Sequence, residues 1–144
     1  MHFINPVRAM KLVEIVSGLV TTRETVETAK DIARKFRKTF VESKDYPGFL
    51  LNRIMIPMIN EAIYALYEGA GTAEGIDRVM KQGMNLPMGP LELADMIGLD
   101  VVLAVIAELY TGFADSKYRP CPLLKNYVNA GYLGRKSGRG FYSY

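Results

Sequence analysis

The sequence predicts a mainly α-helical protein preceded by a short β-α-β unit, the remnant of a larger parallel sheet. Three observations lead there. A β-branched apolar run at Leu12–Val16 and a second at Thr39–Glu42 bracket a stretch of helical pattern. From Tyr46-Pro47-Gly48 onward, apolar residues recur at helical spacing almost to the end. Finally, a hydrophobic fraction of 49% with 23% charged residues suits a packed globular chain. A length of 144 residues allows one domain, or one domain plus a remnant.

Taken in order, Leu12–Val16 reads as a buried strand ended by Ser17-Gly18. A helix follows from about Thr22, whose hydroxyl suits an N-cap, with Glu24 and Glu27 in the first turns and Lys35, Arg37 and Lys38 at the far end. Val26, Ala29, Ile32, Ala33 and Phe36 form its apolar stripe. Thr39–Glu42 completes the β-α-β unit, which cannot cover both faces of its own sheet. The unit is expected to span residues 1–45 and a helical domain residues 46–144. In the latter, Pro47 suits the first turn of a helix that runs to Glu68 and carries Pro57 inside it. Gly69-Ala70-Gly71 stops that helix, and Thr72 caps the next, to Gln82. Leu91–Met96, Leu99–Phe113 and Pro122–Asn129 are the remaining helices, before a glycine-rich tail from Gly131 to Tyr144.

Composition narrows function. The net charge of +3, with both signs mixed, gives no reason to expect nucleic acid or an anionic membrane as partner. One cysteine, Cys121, permits no internal disulfide, and a reducing, cytoplasmic setting is expected. The longest apolar stretch, Phe49–Tyr67, is interrupted by Asn52, Arg53, Asn60 and Glu61, so no membrane span is expected. No metal site is expected.

The only histidine is His2. Twelve residues on, Glu14 sits among Val13, Ile15 and Val16, where a carboxylate is costly to bury without a partner. A turn through Asn5-Pro6 could bring His2 to it. A carboxylate fixes the tautomer of an imidazole and stabilises its protonated form, so the imidazole can take a proton from an alcohol while a hydride leaves the same carbon. Asn52 could hydrogen-bond the imidazole, or the oxygen that changes from hydroxyl to carbonyl. The residues alone leave other readings open: a solvated histidine, Glu14 facing solvent at a sheet edge, and Asn52 capping a helix. Gly69-Ala70-Gly71-Thr72-Ala73-Glu74 is the nearest approach to a G-x-G-x-x-G loop. It follows a helix and has Glu in the third glycine position, so it reads as a helix-ending turn. Arg135, Lys136 and Arg139 read as a solvated tail turn that could also meet phosphates.

Four segments, with five motifs among them, carry a resemblance. HFINPVRAMKLVEIV, PGFLLNRIMIPMINEAIYALYEG, IDRVMKQGMNLPMGPLELADMIGLD and GYLGRKSGRGFYSY stand in order along the chain, the second of them holding two motifs, GFLLNR and NEAIYALYEG. They resemble the 3-hydroxyacyl-CoA dehydrogenase family, including its 3-hydroxybutyryl-CoA members, in its carboxy-terminal portion. Ile4 departs from the Phe or Met common there.

The resemblance implies a helical domain of the 6-phosphogluconate dehydrogenase carboxy-terminal type after a Rossmann-domain remnant. It implies that His2 matches the catalytic base, Glu14 its partner carboxylate and Asn52 a substrate-contacting asparagine, with Arg53 more a packing or salt-bridge residue than a catalyst. It implies an oxidoreductase for (S)-3-hydroxyacyl-CoA, short chains first, using NAD or NADP in the intact enzyme, and a homodimer through the helical domain. The glycine loop for the nucleotide is absent from these residues, so no cofactor is expected bound and the chain alone is expected to be inactive. Two rival expectations are a non-catalytic dimerisation module and a dehydrogenase of free hydroxy acids, of the L-gulonate type.

Overall fold

The computed structural model describes residues 1–144. They form two compact units, Met1–Leu51 and Asn52–Tyr144. The chain is mainly α-helical, as expected.

In the first unit, β1 (His2–Phe3) pairs antiparallel with β2 (Leu12–Ser17), and β2 pairs parallel with β3 (Thr39–Lys44), in the order β1-β2-β3. Helix α1 (Arg23–Lys35) makes the crossover. Its N-cap is Thr22, whose hydroxyl accepts from Thr25 N–H at 3.2 Å. The pleat puts Val13, Ile15, Phe40 and Glu42 on the α1 side, where Lys30 pairs with Glu42 and Arg34 lies over Phe40. Val13, Ile15 and Ala33 are buried there. Ile32 and Phe36, expected in the stripe, are exposed, because the stripe is wider than the narrow sheet beneath it. The opposite face carries Glu14 and, beside it, the exposed Val41. The two-residue β1 was not anticipated; a strand this short has no pattern of its own.

The second unit contains α2 (Leu51–Tyr67, opening one residue earlier), α3 (Ala73–Gly83), α4 (Pro90–Ile97), α5 (Leu99–Phe113) and α6 (Pro122–Asn129). The first helix begins four residues later than Pro47 suggested. Gly48 and Phe49 take φ of 75° and 51°, a left-handed pair that a right-handed helix cannot contain. Helix α2 then runs on through Pro57. Arg53 makes no ion pair; its guanidinium lies 4.5 Å from the centre of the Phe113 ring.

Helical spacing builds the core. Ile56, Ile59 and Ile63 of α2 meet Leu91 and Ala94 of α4 and Leu99, Val102, Ile106 and Leu109 of α5. Gly98 forms the corner between α4 and α5 at φ 103°, a conformation that L side chains rarely adopt. Buried Asn60 splices the Arg119–Cys121 segment to α2: its Nδ2 donates to Arg119 O at 3.0 Å and its Oδ1 accepts from Cys121 N–H at 2.9 Å. Burial also pushes the Cys121 thiol up, away from its reactive thiolate form. Thr72 caps α3 through Gly75 N–H at 3.1 Å. Thr72→Ala should cost about 1 kcal/mol, read as a lower urea midpoint with an unchanged slope. No helix is long and apolar enough to cross a membrane.

Candidate active site

A carboxylate in the middle of β2 needs donors, and the first unit supplies three. His2 stands opposite Glu14 in the β1–β2 ladder and its Nδ1 donates to Glu14 Oε2 at 2.7 Å. Oε1 accepts the backbone N–H groups of Leu50 and Leu51 at 3.0 and 3.1 Å. These amides follow the left-handed turn at Gly48-Phe49, which presents two successive N–H groups to one oxygen. Leu51 is the first residue of α2, so its N–H has no acceptor within the helix. Glu14 is 1% exposed. Phe49 lies against the imidazole, with ring centres 5.2 Å apart and planes inclined by 53°.

The chemistry follows from this count. A carboxylate has lone pairs only, so the proton of the short bond sits on Nδ1 of His2. Nε2 then carries the lone pair. No hydrogen bond of the structure uses Nε2, and the His2 side chain is 28% exposed. The result is an accessible base whose tautomer is fixed by a buried carboxylate. It can accept a proton from a hydroxyl, and Glu14 balances the imidazolium that forms.

Asn52 is the second residue of α2 and lies in the other compact unit. It stands inside the helix, so it is not the N-cap, and its side chain makes no hydrogen bond. No group of three or more His, Cys, Asp or Glu residues could hold a metal.

Comparison with known proteins places the chain. Residues 1–46 match the NAD binding domain of 3-hydroxyacyl-CoA dehydrogenase, and residues 48–144 match its C-terminal domain. The chain belongs to the 3-hydroxyacyl-CoA dehydrogenase family. Among similar members, the "Probable 3-hydroxybutyryl-CoA dehydrogenase" of Bacillus subtilis is 60% identical over all of this chain and half of its own length. The 3-hydroxybutyryl-CoA dehydrogenase of Bradyrhizobium diazoefficiens is 57% identical over 99% of the chain and 49% of its own. Among solved structures, (S)-3-hydroxybutyryl-CoA dehydrogenase PaaH1 from Ralstonia eutropha superposes with a TM-score of 0.97 at 53% identity, covering all of this chain and 51% of that one. The chain thus spans about half the length of the curated relatives it matches.

The NAD binding domain model raises the question whether these residues could hold a dinucleotide. The strand-to-helix turn of the first unit, Gly18–Thr22, has one glycine, and its amide at Gly18 is taken by the Thr21 hydroxyl at 3.0 Å. It lacks the further glycines of a G-x-G-x-x-G turn, which let the backbone close on a pyrophosphate. The residues present do not fit the nucleotide's phosphates, and the chemistry above belongs to His2 and Glu14 alone.

Sequence reasoning passed over two buried carboxylates of this family member. Asp77 of α3 caps α4 from outside: it accepts Leu91 N–H at 2.8 Å, Glu92 N–H at 2.9 Å and the Tyr142 hydroxyl at 2.8 Å. Asp95 of α4 accepts Phe141 N–H, Tyr142 N–H and the Tyr144 hydroxyl at 3.0, 2.9 and 3.1 Å. Burial first, then the bond to Asp77, holds the Tyr142 phenol well above the usual tyrosine range. Gly89 and Gly140 are there because a Cβ at either would collide with Asp77 or Asp95. The one available signal was an acidic residue inside each apolar helix pattern.

The basic tail residues are also engaged. Arg135 reaches Glu92 and covers Tyr144, Lys136 pairs with Asp100, and Arg139 lies 4.0 Å from the centre of the Tyr132 ring. Two clefts of the second unit, about 510 Å³ each, are of mixed charge, one around Arg78, Lys81 and Glu92, the other around Arg53, Glu61 and Arg119. Neither contains a residue singled out from the sequence as catalytic or substrate-binding.

Proposed function

We propose that the full-length protein containing this chain interconverts (S)-3-hydroxyacyl-CoA and 3-oxoacyl-CoA, short chains such as 3-hydroxybutyryl-CoA first, with NAD or NADP as hydride partner. The observation that carries the proposal is the His2–Glu14 pair, a base with its reactive nitrogen free and its other nitrogen bonded to a buried carboxylate. His2 takes the proton of the substrate hydroxyl as the carbonyl forms and returns it in the reverse direction. Glu14 orients and balances it. Asn52, half-buried and unbonded in the first turn of α2, positions the substrate oxygen.

In this reading residues 1–45 complete the nucleotide-binding domain and residues 46–144 form the substrate and dimerisation domain. The partner is a second copy, met through the helical domain, where Ile54, Val101 and Tyr110 are exposed. The chain by itself is inactive, and the cytoplasm is its place, where its one buried thiol stays reduced.

The test is NADH consumption. The full-length protein should reduce acetoacetyl-CoA with a kcat/KM at least about tenfold above that for free acetoacetate, the worth of about 1.4 kcal/mol of binding energy from the remote carrier. The isolated chain should consume none. Preference for the free acid would sink the acyl-CoA reading, and steady turnover by the chain would sink its inactivity.

A further inference from the structure

We propose that Lys38 is a positioning residue that holds His2 in register with Glu14. The inference rests on the reading of His2 as the base.

The starting point is how little else holds β1. It has two residues and two ladder pairs, His2 with Glu14 and Phe3 with Val13. A slip of one residue would turn the imidazole to the other face of the sheet. What fixes register in so short a pair is the connection to β2. Every residue of that connection from Asn5 to Lys11 is exposed, with Val7 and Met10 among them, so no buried side chain anchors it. Its own bonds are two, from Ala9 N–H and Met10 N–H to Pro6 O.

From outside, residues 5–10 are held by one side chain. The Lys38 ammonium donates to Val7 O at 2.7 Å and to Met10 O at 2.6 Å. These are charge-assisted bonds that clamp both ends of the turn. The clamp itself has a rigid base. Helix α1 ends in a Schellman arrangement with Arg37 left-handed at φ 54°, where Arg37 N–H reaches Arg34 O and Lys38 N–H reaches Ala33 O at 2.9 Å. Ala33 is fully buried. The next residue, Thr39, donates to Lys11 O and enters β3. Lys38 therefore projects from a fixed point between α1 and β3 onto the segment that ties His2 to Glu14.

The experiment compares Lys38→Met, Lys38→Arg and His2→Gln in two readouts. The first is kcat and KM with acetoacetyl-CoA in the full-length protein. The second is the ¹⁵N spectrum of the histidine-labelled chain, whose single histidine gives one imidazole signature. Lys38→Met should lower kcat by about ten- to a hundredfold, the scale of a displaced catalytic group, with KM changed little. It should also replace the Nδ1–H tautomer signature with an averaged one. Lys38→Arg, which keeps a cation with several donors, should restore both. A Lys38→Met protein with full kcat overturns the proposal, and so does one with reduced kcat but an unaltered imidazole spectrum, since the loss would then be one of folding. If His2→Gln is fully active, the catalytic reading fails, while the spectrum still decides whether Lys38 sets the imidazole. Should Lys38→Met not fold, Lys38→Gln is judged by the same two readouts.

Discussion

Replacing His2 by Gln in the full-length protein should lower kcat by about two or more powers of ten, with the fold intact. Glutamine can still donate to Glu14, so the buried carboxylate keeps its partners and no charge is stranded. What disappears is the lone pair of Nε2. The companion variant separates geometry from chemistry. Glu14→Gln keeps an oxygen for Leu50 and Leu51 N–H. Its new amide group faces Nδ1 as a donor, so His2 must offer a lone pair there and carry its proton on Nε2. The imidazole is then in place with the wrong tautomer, and kcat should fall by a similar amount or up to about 10⁴. Unfolding would instead be the expected fault of Glu14→Ala, which leaves two part-buried amides without their acceptor, at up to about 1–3 kcal/mol each. Steady-state kinetics with a melting curve on each variant distinguish these cases. Wild-type turnover in His2→Gln would end the proposed mechanism.

Asp95→Ala should be the most damaging change outside that site. Asp95 is 1% exposed and carries three bonds to the tail. Truncation leaves Phe141 N–H, Tyr142 N–H and the Tyr144 hydroxyl without their acceptor, beside a void. Water can reach part of the tail, so the full sum is not expected; about 3 kcal/mol is. For a chain of this size that is a fall in Tm of roughly 10 °C. Tyr144→Phe removes the weakest of the three bonds and should cost under about 1 kcal/mol. Equal melting temperatures for Asp95→Ala and wild type would show that the tail is not held by this carboxylate. The Tyr142 phenol adds a pH dependence. Its proton is held more tightly folded than unfolded, so this contribution is complete below the ordinary tyrosine range and is lost as pH rises beyond it.

The His2–Glu14 contact was legible because burial makes a demand: a carboxylate amid Val13, Ile15 and Val16 must find donors, and one histidine lay within reach of a turn. The two amides that complete its shell were not legible. They depend on the left-handed φ values of Gly48 and Phe49, and a phenylalanine gives no sign of adopting one. The same turn explains why Pro47 misled about the start of α2. Helices α5 and α6 were read to the residue because Leu99-Val102-Ile106-Leu109 and Pro122 carry local signals. Asp77 and Asp95 were missed for the opposite reason: their partners lie up to 65 residues away, beyond any periodicity. Lys38 looked like one more charge favouring a helix end, and only the fold shows what its side chain grips.

The tail from Gly131 to Tyr144 has the composition of a loose linker, rich in glycine and carrying three basic residues. Two of its four glycines measure closeness instead. Gly134 and Gly140 touch the backbone or carboxylate of Asp95 where no methyl group would fit, and its cations are all engaged. At Gly134 and Gly140, a segment that composition would mark as a natural place to splice or lengthen is therefore as intolerant of an added side chain as the core.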